Sequence, residues 1–162
     1  MKPLDPKVID ILNDVLTAEL TAINQYFVHS EMCRNWGYAK LAAVLRERSM
    51  EEMRDAQELI RRVLYFEGVP NVQKMNRVSI GETVAEQLKL DLDLERDAVT
   101  RLNGHIATLT TIGDNATADQ FVTMLHDEER HANYQESQLT LISQMGLENY
   151  LAQQIGEVEA AK

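Results

Sequence analysis

The chain has 162 residues, a single cysteine at Cys33, and 26 acidic against 16 basic side chains, which leaves a formal net charge of -10. One cysteine excludes a disulfide framework and any multi-cysteine zinc or iron–sulfur site, and it fits a reducing compartment, so a cytoplasmic protein is expected. The acidic balance repels nucleic-acid backbones and attracts cations, and no apolar run approaches the ~20 residues of a bilayer crossing, so neither nucleic acid nor membrane is an expected partner. Residues 1–6 carry no apolar leader segment.

A chain of this length has room for one domain whose core removes about two-thirds of its unfolded surface from water. Only 7 glycines and 3 prolines, with few alternating β-branched runs, predict an all-α chain. Asp5 followed by Pro6 reads as an N-cap and first helical residue, and Val8, Leu12, Val15, Leu16, Leu20, Ile23 and Phe27 keep helical spacing to a stop at Gly37. A second helix carries Leu41, Leu45, Met53, Ile60, Val63 and Leu64 to Gly68-Val69-Pro70. Residues 68–82 then form a link that, at about 3.3 Å per extended residue, reaches ~45–50 Å, the length of a thirty-residue helix. Thr83-Val84-Ala85-Glu86 is a capping-box pattern opening a third helix, which runs to Gly113. Asn115 or Thr117 is the expected cap of a fourth, carrying Phe121, Met124, Leu125, Leu139 and Ile142 to Gly146, with a short amphipathic piece after it. The expected helices cover about 6–36, 39–67, 83–112, 116–145 and 147–155, and 156–162 reads as a frayed acidic tail. Four long helices with one long crossover, followed by a short fifth helix, make a bundle.

The chemistry lies in the spacing of acids on those helices. Glu128 and His131 stand three apart on one face, a Glu-x-x-His step that metal sites use, and Glu52 with Asp55 repeats the step with aspartate in place of histidine. Glu19 precedes Glu52 by 33 residues and Glu95 precedes Glu128 by 33; each pair also sits 18 before and 15 after its turn glycine. In each antiparallel hairpin the two glutamates therefore fall at nearly one level, close to mid-helix. Glu19 and Glu95 lie on apolar stripes, so all four are expected to converge inside the bundle. Four buried carboxylates repel one another at a cost of several kcal/mol per charge unless cations neutralise them. A Glu from each of two helices plus a Glu-x-x-His step from each of two others is a carboxylate-bridged two-metal pattern suited to iron.

The sequence resembles the bacterioferritins over nearly its whole length. The resemblance is carried by Lys7-Val8-Ile9, Ala18-Glu19-Leu20, Ala22-Ile23-Asn24-Gln25-Tyr26-Phe27, Asn35-Trp36-Gly37, Glu52-Met53, Asp127-Glu128-Glu129 with His131, and Met145-Gly146-Leu147 with Asn149-Tyr150-Leu151. It implies a ferritin-like four-helix bundle that assembles into a shell of twenty-four subunits and stores ferric mineral. It further implies haem b between two-fold related subunits, a ferredoxin-type electron donor, and a di-iron ferroxidase centre within each subunit. By resemblance the iron ligands are Glu19, Glu52, Asp55, Glu95, Glu128 and His131, and the haem ligand is Met53.

This chain departs from the family pattern at Asp55, where that pattern has histidine. Aspartate is shorter and anionic and offers oxygen in place of nitrogen. The expectation is a weakened ferroxidase centre in a subunit that shares mixed shells with a second bacterioferritin subunit; the alternative is a fully active ferroxidase with Asp55 as a competent ligand. Leu59 and Tyr134 also stand where the pattern has Tyr and Trp. Met53 follows Glu52 and so points about 100° away from the metal face, toward a partner. Two copies across a two-fold axis could supply both axial sulfurs of one haem, with Leu20, Ile23, Asn24 and Phe27 as candidate walls. His29, His105 and His126 lack paired ligand spacing and are expected to be solvated or hydrogen-bonded. Tyr26 and Cys33 read as core packing, and Glu47, Glu51 and Asp119 as a solvated face that can guide iron. A DNA-protecting miniature ferritin is disfavoured by the acidic charge, and a rubrerythrin by the single cysteine.

Overall fold

A computed structural model describes residues 1–156, so the acidic tail from 157 on lies outside the described residues. The described part is five helices and no strand. Helix α1 spans Lys7–Asn35, α2 Ala39–Tyr65, α3 Val84–Ile112, α4 Asn115–Met145 and α5 Leu147–Gln154. The first four form two long antiparallel hairpins, α1 with α2 and α3 with α4, and α5 folds back onto α4 and α2. Register between α1 and α2 is pinned by Ser30 Oγ donating to Ala42 O (2.8 Å) and Ser49 Oγ donating to Ile23 O (2.9 Å).

The helix ends follow local chemistry. Asp5 Oδ1 accepts from Lys7 N at 2.8 Å with Pro6 already in helical conformation, so one otherwise unpaired amide of the first turn is satisfied. Thr83 Oγ1 accepts from Glu86 N at 3.3 Å, but the return arm of the box goes to Glu82 N, at 2.9 Å from Glu86 Oε2, instead of Thr83 N. The cap of α4 is Asp114, neither Asn115 nor Thr117: its Oδ1 accepts from Thr117 N at 3.2 Å, and Thr117 Oγ1 donates to its Oδ2 at 2.7 Å. Arg62 reaches the same carboxylate at 3.1 Å, a partner from α2 that local sequence could not reveal. At the end of α2 the left-handed residue is Glu67 (φ 59) instead of Gly68. Its carboxylate takes the N-terminal ammonium at 3.0 Å and Lys2 at 3.1 Å.

The link between α2 and α3 runs the length of the bundle alongside α1. Asn13, Thr21, Gln25 and His29 hold it through one stripe of polar side chains. Asn13 Oδ1 accepts from Asn71 N (2.7 Å), Thr21 Oγ1 from Asn76 N (2.9 Å), Gln25 Oε1 from Ser79 N (3.1 Å) and His29 Nε2 from Gly81 N (3.1 Å). Backbone amides of a segment without its own ladder must find partners somewhere, and here α1 supplies them. Gly81 is required by close approach, since a Cβ there would lie 2.5 Å from Gln87 N. Because the link travels parallel to α1, α3 descends antiparallel to it, and pairs such as Cys33 with Gln87 (3.2 Å) and Gln25 with Asp91 (2.9 Å) follow.

The apolar core falls into two clusters. One, around Val8, Leu12, Leu59, Val63, Leu109 and Phe121, fills the end near the chain start. The other, around Tyr26, Cys33, Leu41, Leu45, Leu88 and Tyr150, fills the opposite end. Between them lies a belt of buried acids.

Candidate metal centre

The belt contains Glu19 from α1, Glu52 from α2, Glu95 from α3 and Glu128 with His131 from α4, all at most 3% exposed. Glu52, Glu95, Glu128 and His131 each offer a ligand atom within 4.8 Å of the others. Glu19, Glu52 and Asp55 form a second such group, so Glu52 is common to both. The six residues singled out by spacing are thus brought together, with Asp55 half-buried at the edge. Helical register explains the convergence: each acid stands on the inward stripe of its helix at the level where the two hairpins face one another.

The geometry leaves buried polar atoms without partners. Both Glu52 oxygens, Glu95 Oε2, Glu128 Oε2 and His131 Nδ1 have no hydrogen-bond partner among the described residues. Such a collection is costly in an apolar bundle and fits divalent cations, which carboxylate oxygens and an unprotonated imidazole nitrogen bind. The titration behaviour follows the same crowding. Burial, then the charges of Glu128 and Glu52, raise Glu19 well above the ordinary carboxylate range. Burial and Glu128 do the same for Glu95, and they also raise Glu52. Asp55 is pushed up to about 7 by burial and by Glu52 and Glu128. His131 moves up to about 9: burial opposes its charge, but contacts with Glu128 and Glu52 outweigh it. Burial likewise acts upward on Glu128, yet the imidazole of His131, 3.5 Å away, brings it below its ordinary value.

Other residues complete the surroundings. Tyr26 OH donates to Glu95 Oε1 and is itself approached by Gln135 Nε2 at 3.5 Å, so it orients an acid of the belt as well as packing the core. Gln135, fully buried four residues after His131, was not singled out in the sequence, although that helical offset places it beneath the histidine. Glu51 is not a free solvated acid: it lies 3.0 Å from His131 and 2.6 Å from Arg48. Glu47 and Asp119 do stay exposed. His29 is fully buried and bonded to Asp91 at 2.9 Å, His105 pairs with Asp14 at 2.8 Å, and His126 is exposed. Leu59 is core, and Tyr134 lies under the Arg48 guanidinium at 5.7 Å. Met53 is 47% exposed, pointing away from the belt, with Phe27 exposed on the same two-helix face and covered by Arg46 at 4.7 Å.

The ferritin-like domain family matches residues 9–145. A bacterioferritin of Mycolicibacterium paratuberculosis is 44% identical over 149 residues, covering 92% of this chain and 94% of the relative. The chain belongs to the bacterioferritin family. Bacterioferritins of Streptomyces coelicolor and Brucella melitensis are each 41% identical, over 96% and 97% of this chain and 93% and 94% of their own lengths. Iron storage is the work of this family, and a bacterioferritin subunit accounts for the acid belt between the two core clusters. No helix among the described residues is long and apolar enough to cross a membrane.

Proposed function

We propose that this chain is a single-domain, cytoplasmic subunit of a twenty-four-membered bacterioferritin shell that stores and detoxifies iron, with a ferroxidase centre weakened at Asp55. The observation that carries the reading is the set of buried, unpartnered ligand atoms on Glu52, Glu95, Glu128 and His131. These residues, with Glu19 and Asp55, are the ligands for two Fe(II) substrate ions, each of which gives up one electron to dioxygen or peroxide before moving inward. One position carries an imidazole; the other is built from oxygen alone. At Asp55 the shorter, anionic side chain replaces an imidazole donor and adds one more carboxylate to a belt whose burial and crowding already push it up to about 7. The loss of the nitrogen donor and the added negative charge weaken the oxygen-only position. Mixed shells with a second subunit would supply the faster oxidation.

A second reading, full activity with Asp55 as a competent ligand, is favoured by one observation: an Asp55 oxygen comes within 4.8 Å of ligand atoms of Glu19 and Glu52. Anaerobic Fe(II) titration of the homopolymer followed by oxidant mixing separates the two. The expected result is a slow wild type and a faster Asp55→His variant; equal fast phases establish the alternative.

Haem b, held between two copies of Met53, would supply an electron path to the mineral from a ferredoxin-type donor. The residues present are compatible with it. Met53 is outward-facing and far from burial, and a soft thioether on a face shared with Phe27 suits a porphyrin edge once a second copy covers it.

A further inference from the structure

His131 meets the carboxylate belt with one ring nitrogen and Glu51 with the other. Nδ1 lies 3.3 Å from Glu52 Oε1, 3.5 Å from Glu128 Oε2 and 3.7 Å from Glu95 Oε1. Nε2 lies 3.0 Å from Glu51 Oε2. An imidazole binds a cation through its unprotonated nitrogen, so the other nitrogen must carry the proton, and an acceptor beside that N–H selects both tautomer and ring orientation. We propose that Glu51 is a positioning residue which accepts the His131 Nε2–H and thereby presents Nδ1 to the cation. The inference rests on the metal-centre reading above and adds to it a residue outside the ligand set.

Glu51 is itself held in place. Arg48 Nη1 lies 2.6 Å from the same Oε2 that faces His131, and Arg130 Nη2 lies 3.7 Å from Oε1. Arg130 is anchored in turn by Asp127 at 2.7 Å. Arg130 Nη2 also lies 3.5 Å from His131 Nε2, where a cationic donor favours the opposite tautomer. The carboxylate is the nearer of the two, 3.0 Å against 3.5 Å, and as an anion it favours a proton on the nitrogen that faces it. One turn of α2 thus serves the centre twice. Glu52 points inward as a ligand, while its neighbour, about 100° round the helix, holds a ligand of α4.

The test is anaerobic Co(II) titration of the full chain, read by the visible absorption of bound Co(II) and by calorimetry, with Glu51→Gln and Glu51→Leu beside wild type. Glutamine keeps an acceptor oxygen; leucine has similar bulk and none. The expected result is a loss of about 10–100-fold in affinity at one of the two positions for Glu51→Leu, with Glu51→Gln close to wild type. If the two variants bind alike, both strongly or both weakly, the positioning role is overturned. Wild type that takes up no Co(II) overturns the metal-centre reading itself, a different outcome from the variant comparison. Should Glu51→Leu fail to assemble, Glu51→Ala, a good helix former at this part-exposed site, makes the same comparison.

Discussion

At the scale of single residues, the acids of the belt set how the metal-free chain responds to pH. A carboxyl whose folded pKa is raised binds more protons folded than unfolded, so stability falls as pH rises between the two values. For Asp55 that window runs from 3.8 to about 7, and Glu19, Glu52 and Glu95 act in the same direction from 4.5 upward. His131, raised from 6.5 to about 9, contributes stability that is complete below 6.5 and lost as pH climbs through about 9. Glu128, lowered, works oppositely and matters only in acid. The melting temperature of chelator-treated protein is therefore expected to decline from about pH 5 to pH 9, and a saturating divalent cation to flatten the decline, because it replaces the missing protons. Thermal denaturation across that range with and without Co(II) checks it; a melting temperature that rises with pH in the metal-free protein contradicts the crowding argument.

At the scale of elements, the crossover depends on α1 more than on itself. Gln25 is buried, accepts from Ser79 N and donates to Asp91 Oδ1, so it ties the link to α1 and α1 to α3 at once. Replacing Gln25 by leucine leaves the Ser79 amide without its partner, while Asp91 Oδ1 keeps only His29, and a cost of about 1–3 kcal/mol is expected. The denaturant midpoint should fall accordingly, and limited proteolysis should begin within residues 76–82; unchanged protection there would show that His29 and Thr21 suffice. The helix ends teach the limit of local reading. Asp5 was legible because its partner, Lys7 N, is two residues away. Asp114 as the α4 cap was not, because Asn115 and Thr117 are equally plausible by type, and Arg62, 52 residues earlier in the chain, joins the same carboxylate.

At the scale of the whole molecule, the proposed shell would set the α1–α2 face against a second copy. Phe27, Val28, Met50 and Met53 are exposed there or near it, more apolar side chain than an isolated subunit favours at one surface. In a two-fold contact each residue appears twice, so haem at half the subunit number is expected in wild type. In Met53→Leu the haem absorbance is expected to vanish while particle mass stays that of the assembled shell, read by absorbance and light scattering on one sample. Retained haem would remove Met53 from the ligand position, and loss of assembly would show that the side chain serves the contact instead.

The sequence by itself determined the five helices and the level at which the acids meet, because those depend on helical period and on the distance of each acid from its turn glycine. It could not say which way His131 turns, that Glu51 stands behind it, or that an α1 stripe carries the crossover. Those rest on side chains from different helices meeting at hydrogen-bond distance. Glu51 lies 80 residues before His131, and only the packing of α2 against α4 decides that a solvated-looking acid becomes the partner of a buried imidazole.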